Sequence, residues 1–281
     1  MKNRWTIKGM MMMLAVLLGV PAIPSQAAVP QPLCVFYGQA LDDYGWPYLR
    51  DAEVVLKVNG KEFSRYTVQG MISPGVNFIL RVAIDSGNGT AYSDQAVPTG
   101  SSIDIVVIAN GTTRTVMEGV SLPKVGKPGD ITYCNVTAGT DADGDGLSDE
   151  WERWIVSFSS YDSVTSIWNV VGSDDFDGDG ASNEAEYRAG TDPAWDQDRF
   201  AMDNLQKVSG DLWYCEILSV PGKAYTVHET DNLFHQWEMQ PFSLTQLGTP
   251  STGYVYGDGL FMRFYFHMDS PTNGFYRLAT R

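Results

Sequence analysis

Two stretches of twelve residues, DADGDGLSDEWE (Asp141–Glu152) and DFDGDGASNEAE (Asp175–Glu186), decide the organisation of this chain. Each has oxygen-bearing side chains at positions 1, 3, 5, 9 and 12 and a glycine at position 6. With this spacing a single short loop can wrap around a calcium ion, a hard cation that takes six to eight oxygen ligands. The stretches begin 34 residues apart, so the sequence predicts two neighbouring calcium loops.

The loop positions also assign the ligands. Positions 1, 3 and 5 give carboxylates, position 7 a backbone carbonyl, position 9 a direct or water-mediated oxygen, and position 12 two oxygens. The predicted ligands are Asp141, Asp143, Asp145, Leu147, Asp149 and Glu152 in the first loop, and Asp175, Asp177, Asp179, Ala181, Asn183 and Glu186 in the second. Glutamate at position 12 favours calcium over magnesium, and Asn183 removes one charge, which predicts weaker binding by the second loop.

A helix is expected to leave each loop. Ser148 and Ser182 stand at position 8, where a hydroxyl can cap the first turn. Gly190 and Pro193 predict the end of the second helix. Apolar residues after the first loop recur at i, i+3, i+4 and i+7 and favour core packing: Trp151, Trp154, Ile155 and Phe158.

Charge is concentrated in this region. The chain has a net charge of −15, and residues 141–198 hold 16 Asp and Glu against 2 Lys and Arg. We interpret these carboxylates as cation ligands, because a merely solvated acidic face needs no glycine at fixed offsets. A chain with no basic stripe is a poor nucleic-acid binder.

The first 27 residues predict an export signal. Lys2, Arg4 and Lys8 form a basic end, an apolar run over 10–20 follows, and 25–27 offers a small-x-small cleavage site. A membrane anchor is the alternative, but this run is too short to cross a hydrocarbon core of ~30 Å. The sequence has no later spanning segment, so we expect a secreted or cell-surface protein.

Three cysteines follow the signal: Cys34, Cys134 and Cys215. An exported protein can keep disulfides, and a Cys34–Cys134 bridge would join the ends of the first domain if their strands are neighbours. Three buried thiols are the alternative. We expect Cys215 to be a core residue.

The flanking regions predict β-structure. Strand-like runs in the first region cover 34–40, 53–58, 63–68, 78–84, 103–109 and, more weakly, 115–120; those in the last cover 212–219, 224–229, 261–267 and 275–278. Asn59-Gly60 predicts a two-residue hairpin turn. The predicted fold is mainly β and multidomain, with an N-terminal β-sandwich (28–137) and a C-terminal β-domain (199–281). A short α-helical calcium-loop connector (138–198) joins them, and 162–171 is expected to supply a helical turn.

Parts of the chain resemble known modules of secreted bacterial multidomain proteins. The stretch DFDGDGASNEAEYRAGTDP (Asp175–Pro193) resembles dockerin-like and thrombospondin type 3-like calcium repeats, which are of EF-hand type. The pattern GxAxDxxGxP (38–47) with AxVxL (52–56) is similar to carboxypeptidase-regulatory-like β-sandwiches. The segments at 220–225, 231–237 and 275–277 resemble small C-terminal β-domains that follow such repeats. These resemblances imply structural or adhesive roles.

The sequence contains no HExxH, GxSxG or phosphate-binding GxxxxGK[ST] motif, and it predicts no catalytic residue. We therefore expect an exported calcium-binding structural or adhesion protein with two Ca²⁺ sites. Its partner would be an unidentified protein or polysaccharide at the cell surface. A carbohydrate-binding accessory protein that uses Trp46 or Trp237 is the alternative, and a hydrolase with an unrecognised site is a third.

Overall fold

A computed structural model describes residues 32–85, 94–117, 121–158, 164–268 and 274–280. Within these ranges the protein is mainly β, with eighteen strands, two α-helices and one short 3-10 helix. The predicted signal peptide, residues 1–27, lies outside the described residues. None of the helices in the described ranges has the length and apolar character needed to cross a bilayer.

The first ten strands form three sheets. They are β1 (Cys34–Gly38), β2 (Ala40–Leu41), β3 (Ala52–Val58), β4 (Lys61–Thr67), β5 (Phe78–Asp85), β6 (Ala96–Pro98), β7 (Asp104–Ala109), β8 (Thr112–Thr115), β9 (Ile131–Tyr133) and β10 (Val136–Thr137). One sheet has the order β6-β5-β1-β9, the second β4-β3-β7-β8, and β2 pairs with β10. Buried residues of both four-stranded sheets meet in one hydrophobic core.

The hairpin predicted at Asn59-Gly60 is confirmed. These residues have φ values of 50° and 77° and connect β3 to β4. Such left-handed turns match the twist of the flanking strands, and Asn and Gly adopt them at low cost. Asn110-Gly111, with φ values of 51° and 76°, connects β7 to β8 in the same way.

The disulfide between Cys34 and Cys134 is not formed, and both residues are free thiols. Their strands are neighbours, but β1 and β9 run parallel, with Val35 opposite Ile131. Cys34 comes before the paired stretch and Cys134 after it. This separates them by about four residues along the strands, or ~13 Å. A disulfide needs Cα atoms within about 7 Å, so the direction of the strands rules out this bridge.

The last part of the chain forms two further sheets. Its strands are β11 (Asp203–Ser209), β12 (Leu212–Leu218), β13 (Ala224–Thr230), β14 (Glu238–Met239), β15 (Phe242–Ser243), β16 (Val255–Tyr256), β17 (Phe261–His267) and β18 (Phe275–Thr280). The orders are β11-β12-β17-β15 and β14-β13-β16, with β18 also paired to β13. All four strands predicted here are confirmed with small changes at their ends, and Cys215 is buried in their shared core.

Between the β-rich parts lie α1 (Asp149–Phe158), a 3-10 helix (Ile167–Asn169) and α2 (Asn183–Ala189). Trp151 and Ile155 are fully buried, Trp154 packs partly against the same core, and Phe158 is half exposed. The predicted aromatic stripe is therefore a packing face that ends before Phe158. The 3-10 helix confirms part of the turn expected over 162–171, whose first two residues lie outside the described ranges.

Side-chain donors connect these parts to one another. The contacts are Trp46 Nε1 to Gly190 O (3.2 Å), Lys223 Nζ to Arg188 O (2.6 Å) and Gln39 Nε2 to Gly222 O (3.1 Å). The first two satisfy carbonyls at the C-terminal end of α2, which have no partner within the helix. The described residues from 32 onward form one compact unit, and the domain boundaries expected after 137 and 198 stay predictions.

Candidate metal centre

Both acidic loops have the same backbone arrangement, fixed by the aspartate at position 1. One oxygen of its carboxylate accepts a hydrogen bond from the amide of position 4, and the other accepts from position 6. The bonds are Gly144 N to Asp141 Oδ1 (2.8 Å), Gly146 N to Asp141 Oδ2 (3.0 Å), Gly178 N to Asp175 Oδ1 (2.8 Å) and Gly180 N to Asp175 Oδ2 (2.9 Å). Gly146 and Gly180 have φ values of 99° and 97°, a region that glycine adopts at little cost.

The aspartates at positions 3 and 5 repeat one local pattern. In each, Oδ1 accepts a hydrogen bond from the amide two residues further along the chain. In the second loop, Oδ2 of Asp177 and of Asp179 is buried and has no hydrogen-bond partner among the described residues. Each loop thus gathers three carboxylates, with one oxygen from each lying within 4.8 Å of the others. Like charges at this distance repel one another unless a cation neutralises them. Each triplet could therefore hold a metal ion.

The glutamates at position 12 are completely buried, at 0% exposure for both Glu152 and Glu186. Neither oxygen of Glu152 has a hydrogen-bond partner among the described residues, and the same holds for Oε2 of Glu186. Burial, with the nearby aspartates adding to it, raises the pKa of both carboxyls to about 8. A buried carboxylate without a partner is costly, so each glutamate needs either a proton or a cation.

The side chains at position 9 hold the loops closed. Asp149 accepts a hydrogen bond from the amide of Ala142 (2.7 Å). Asn183 accepts one from the amide of Phe176 (3.3 Å) and donates another to Val171 O (2.9 Å). These bonds tie the start of each loop to the start of its helix, a role that the ligand pattern did not predict. Ligation by Asp149 and Asn183, directly or through water, stays a prediction.

The helix signals are confirmed. Ser148 Oγ accepts a hydrogen bond from Trp151 N (3.2 Å), and Ser182 Oγ accepts one from Ala185 N (3.3 Å). Gly190 ends α2 with a φ of 82°. At position 7, Leu147 buries its side chain in the helical core, whereas Ala181 is half-buried. A carbonyl ligand at this position is consistent with such varied side chains.

One residue outside the predicted site anchors the first loop. The carbonyl of Asp43 accepts a hydrogen bond from Ser148 Oγ, and its carboxylate pairs with Arg114. Asp43 belongs to the turn between β2 and β3. The sequence around it indicates a turn but does not indicate a contact with the first acidic loop. The cap of α1 is thereby fixed to the N-terminal sheets.

The three histidines make separate contacts and do not form a cluster with one another. His235 pairs with Asp231 (2.9 Å) and His267 with Asp211 (3.1 Å), both at exposed positions. Neither ring nitrogen of His228 has a hydrogen-bond partner among the described residues, and burial lowers the pKa of this side chain. Two of the histidines thus form hydrogen-bonded pairs at the surface, and the third is a residue of strand β13.

Fold and site together define a β-rich protein with two acidic loop–helix sites that could bind metal ions. Comparisons of the chain with protein-family models, curated proteins and solved structures gave no match. The resemblances to calcium repeats and to β-modules therefore rest on the residues quoted above.

Proposed function

We propose that this is an exported, calcium-binding structural or adhesion protein. In this proposal Ca²⁺ orders the connector (138–198) between an N-terminal β-sandwich (28–137) and a C-terminal β-domain (199–281). The observation that carries it is the pair of fully buried glutamates, Glu152 and Glu186, each beside three clustered aspartates. Both oxygens of Glu152 and Oε2 of Glu186 lack hydrogen-bond partners in the described structure, and Oε1 of Glu186 accepts one long hydrogen bond from Thr191 Oγ1 (3.4 Å). A divalent cation supplies the missing partner and neutralises the cluster.

The ions are proposed to have a constant structural role. Calcium is generally abundant outside cells, where calcium modules bind with Kd values of ~10⁻⁴–10⁻³ M. Sites of that affinity stay filled, so they stabilise the fold rather than report a signal. This agrees with the resemblance to dockerin-like and thrombospondin type 3-like repeats.

Contacts of α2 explain how the second ion would act on both β-domains. Glu186, the predicted bidentate ligand, lies one turn before the C-terminal end of the helix, and its carbonyl accepts a hydrogen bond from Gly190 N (2.6 Å). Trp46 and Lys223 donate to carbonyls at this same end. An ion that fixes Glu186 therefore also fixes the surface on which the two β-domains meet.

Calorimetric titration of the chain lacking residues 1–27 tests the proposal. We expect calcium binding at millimolar concentrations or below, and Glu186→Gln should weaken one site by about tenfold or more, because it removes the charge and one oxygen ligand. Glu184→Gln is the matched control, since Glu184 lies exposed on the same helix and pairs with Arg188. Absence of binding at millimolar calcium would refute the proposed function.

Limited proteolysis tests the structural role separately. With a chelator present, we expect cleavage to increase within 141–190 while the two β-domains resist, because the clustered carboxylates then repel one another. Equal cleavage with and without calcium would mean that the bound ions do not order the connector.

A further inference from the structure

An open cleft of about 470 Å³ lies between the turn after β2 and the exposed side of α1. It is lined by Tyr44, Trp46, Glu150, Arg153, Trp154 and Ser157. None of the lining residues is a predicted metal ligand, although Arg153 bonds to Asp149 (3.3 Å) and the inner sides of Tyr44 and Trp154 pack against the helical core. Its composition, three aromatic rings beside a few polar groups, is typical of small-ligand sites.

The rings form one continuous wall. The centroid of Tyr44 lies 5.9 Å from that of Trp46 and 5.8 Å from that of Trp154. At these distances neighbouring rings touch, so no space remains between them for a cation enclosed on several sides. Tyr44 and Trp46 are tilted by 38°, whereas Trp154 stands nearly perpendicular to Tyr44 at 82°, so the apolar face offered to a ligand is mainly that of Trp46 and Tyr44.

Hydrogen bonds hold this wall in place before any ligand arrives. Asp42 Oδ1 accepts from the amides of Tyr44 (3.0 Å) and Trp46 (2.9 Å), which fixes the turn. Gly45, with a φ of 73°, lies against the backbone of Tyr187, so the turn packs closely on α2. Trp46 is 41% exposed although its Nε1 donates to Gly190 O at the end of α2. Such preorganisation lowers the entropic cost of binding.

An ion pair forms the polar rim. Arg153 donates to Glu150 at 2.7 Å, and both side chains are about half exposed. Together they place donors and acceptors next to the aromatic wall, where hydroxyl groups of a ligand can bond to them. The surrounding segment, with 16 acidic and 2 basic residues over 141–198, opposes the approach of polyanions.

We propose that this cleft binds a pyranose residue of a neutral polysaccharide. The C–H bonds on one face of the sugar ring pack against the electron-rich faces of Trp46 and Tyr44, and its hydroxyls bond to Glu150 and Arg153. Trp237, the other tryptophan considered for such a role, has Arg277 over its ring at 4.3 Å. Because the cleft is open, the bound sugar can be part of a longer chain.

The test uses the chain lacking residues 1–27 in millimolar calcium, titrated with cellohexaose, maltohexaose and chitohexaose, and with hexagalacturonate as an acidic probe. Binding is measured by calorimetry and by tryptophan fluorescence. We expect at least one neutral hexasaccharide to bind and hexagalacturonate to bind at least about tenfold more weakly. Trp46→Ala should weaken binding about tenfold or more, and Glu150→Gln severalfold. Trp168→Ala is the matched control, because Trp168 is 62% exposed but lies outside the cleft, and it should bind like the wild type.

Far-UV circular dichroism checks the fold of each variant. If Trp46→Ala is unfolded, the sugar affinities of Glu150→Gln and Trp46→Phe test the proposal instead. Glu150→Gln leaves the packing intact, and Trp46→Phe keeps an aromatic ring. Failure of all three neutral sugars to bind, or equal affinity in the wild type and the folded cleft variants, would overturn the proposal. If the wild type binds a neutral sugar but shows no calcium binding at millimolar concentrations, the proposed function is refuted and the sugar site is not.

Discussion

Replacing Lys223 by methionine should remove a specific part of the pH dependence of stability. This lysine is 3% exposed, and its Nζ donates to Arg188 O at the end of α2 (2.6 Å). Burial lowers its pKa from 10.5 to about 8, although the charge of Asp42 acts in the opposite direction. The folded state therefore holds this proton less tightly than the unfolded chain does.

The sign and size of the effect follow by linkage. Between pH 8 and 10.5 the unfolded chain keeps a proton that folded Lys223 has lost, so stability rises with pH in this window and is flat below it. The full shift corresponds to ~3 kcal/mol at 1.36 kcal/mol per pKa unit. From pH 7 to 9.5 the expected gain is ~2 kcal/mol.

Urea unfolding of the wild type and Lys223→Met at pH 7 and 9.5, in saturating calcium, measures this gain. The free energy of unfolding of the wild type should increase by ~2 kcal/mol relative to that of the variant, because other titrating groups contribute equally to both. Lys127→Met, at an exposed position, should behave like the wild type. An identical pH dependence in the wild type and Lys223→Met would refute the argument that this amine is buried and charged at neutral pH.

Two substitutions test the N-terminal sheets by urea unfolding. Asn77→Leu should destabilise the protein by about 3 kcal/mol, because it leaves two backbone groups without their hydrogen-bond partners. Asn77 Oδ1 accepts from the buried amide of Ala40 (2.7 Å), and its Nδ2 donates to Tyr48 O (2.8 Å). An unchanged urea midpoint would contradict this role. Gly38→Ala should cost about 3 kcal/mol, since its Cβ would lie 2.0 Å from Cys134 O. Gly60→Ala is the control, because the added Cβ meets nothing within 4 Å. If Gly38→Ala lowers the free energy of unfolding by less than Gly60→Ala does, the backbone around Gly38 can move to accept the methyl group.

Features encoded within a few residues were predicted well. The loop backbone depends on side chains bonding to amides two to five residues away, so its spacing is visible in the sequence. The same holds for the caps at Ser148 and Ser182 and for the turn at Asn59-Gly60. Each of these local structures is determined by residues close in sequence, and each is found at its predicted position in the folded protein.

Features that depend on distant partners were missed. Strands of two or three residues, such as β9 and β10, are too short to have a period, and β11 (DNLQKVS) lacks apolar alternation. The parallel direction of β9 beside β1 overturned the disulfide, because direction is set by the path of the chain between them. Lys223 belongs to a quoted motif, but only the fold reveals that it caps a helix.

The helices that follow the two acidic loops support different surfaces, which argues for different consequences of the two proposed ions. Helix α1 bears Trp154, Glu150 and Arg153, so the first loop positions one side of the aromatic cleft. Helix α2 ends at the carbonyls that Trp46 and Lys223 cap, so the second loop positions the junction between the β-rich parts. Trp46 belongs to both surfaces, because its ring lines the cleft while its Nε1 bonds to the end of α2. A disturbance at either loop therefore reaches the cleft, and the bonds of Trp46 and Lys223 tie the junction to the helix that follows the second loop.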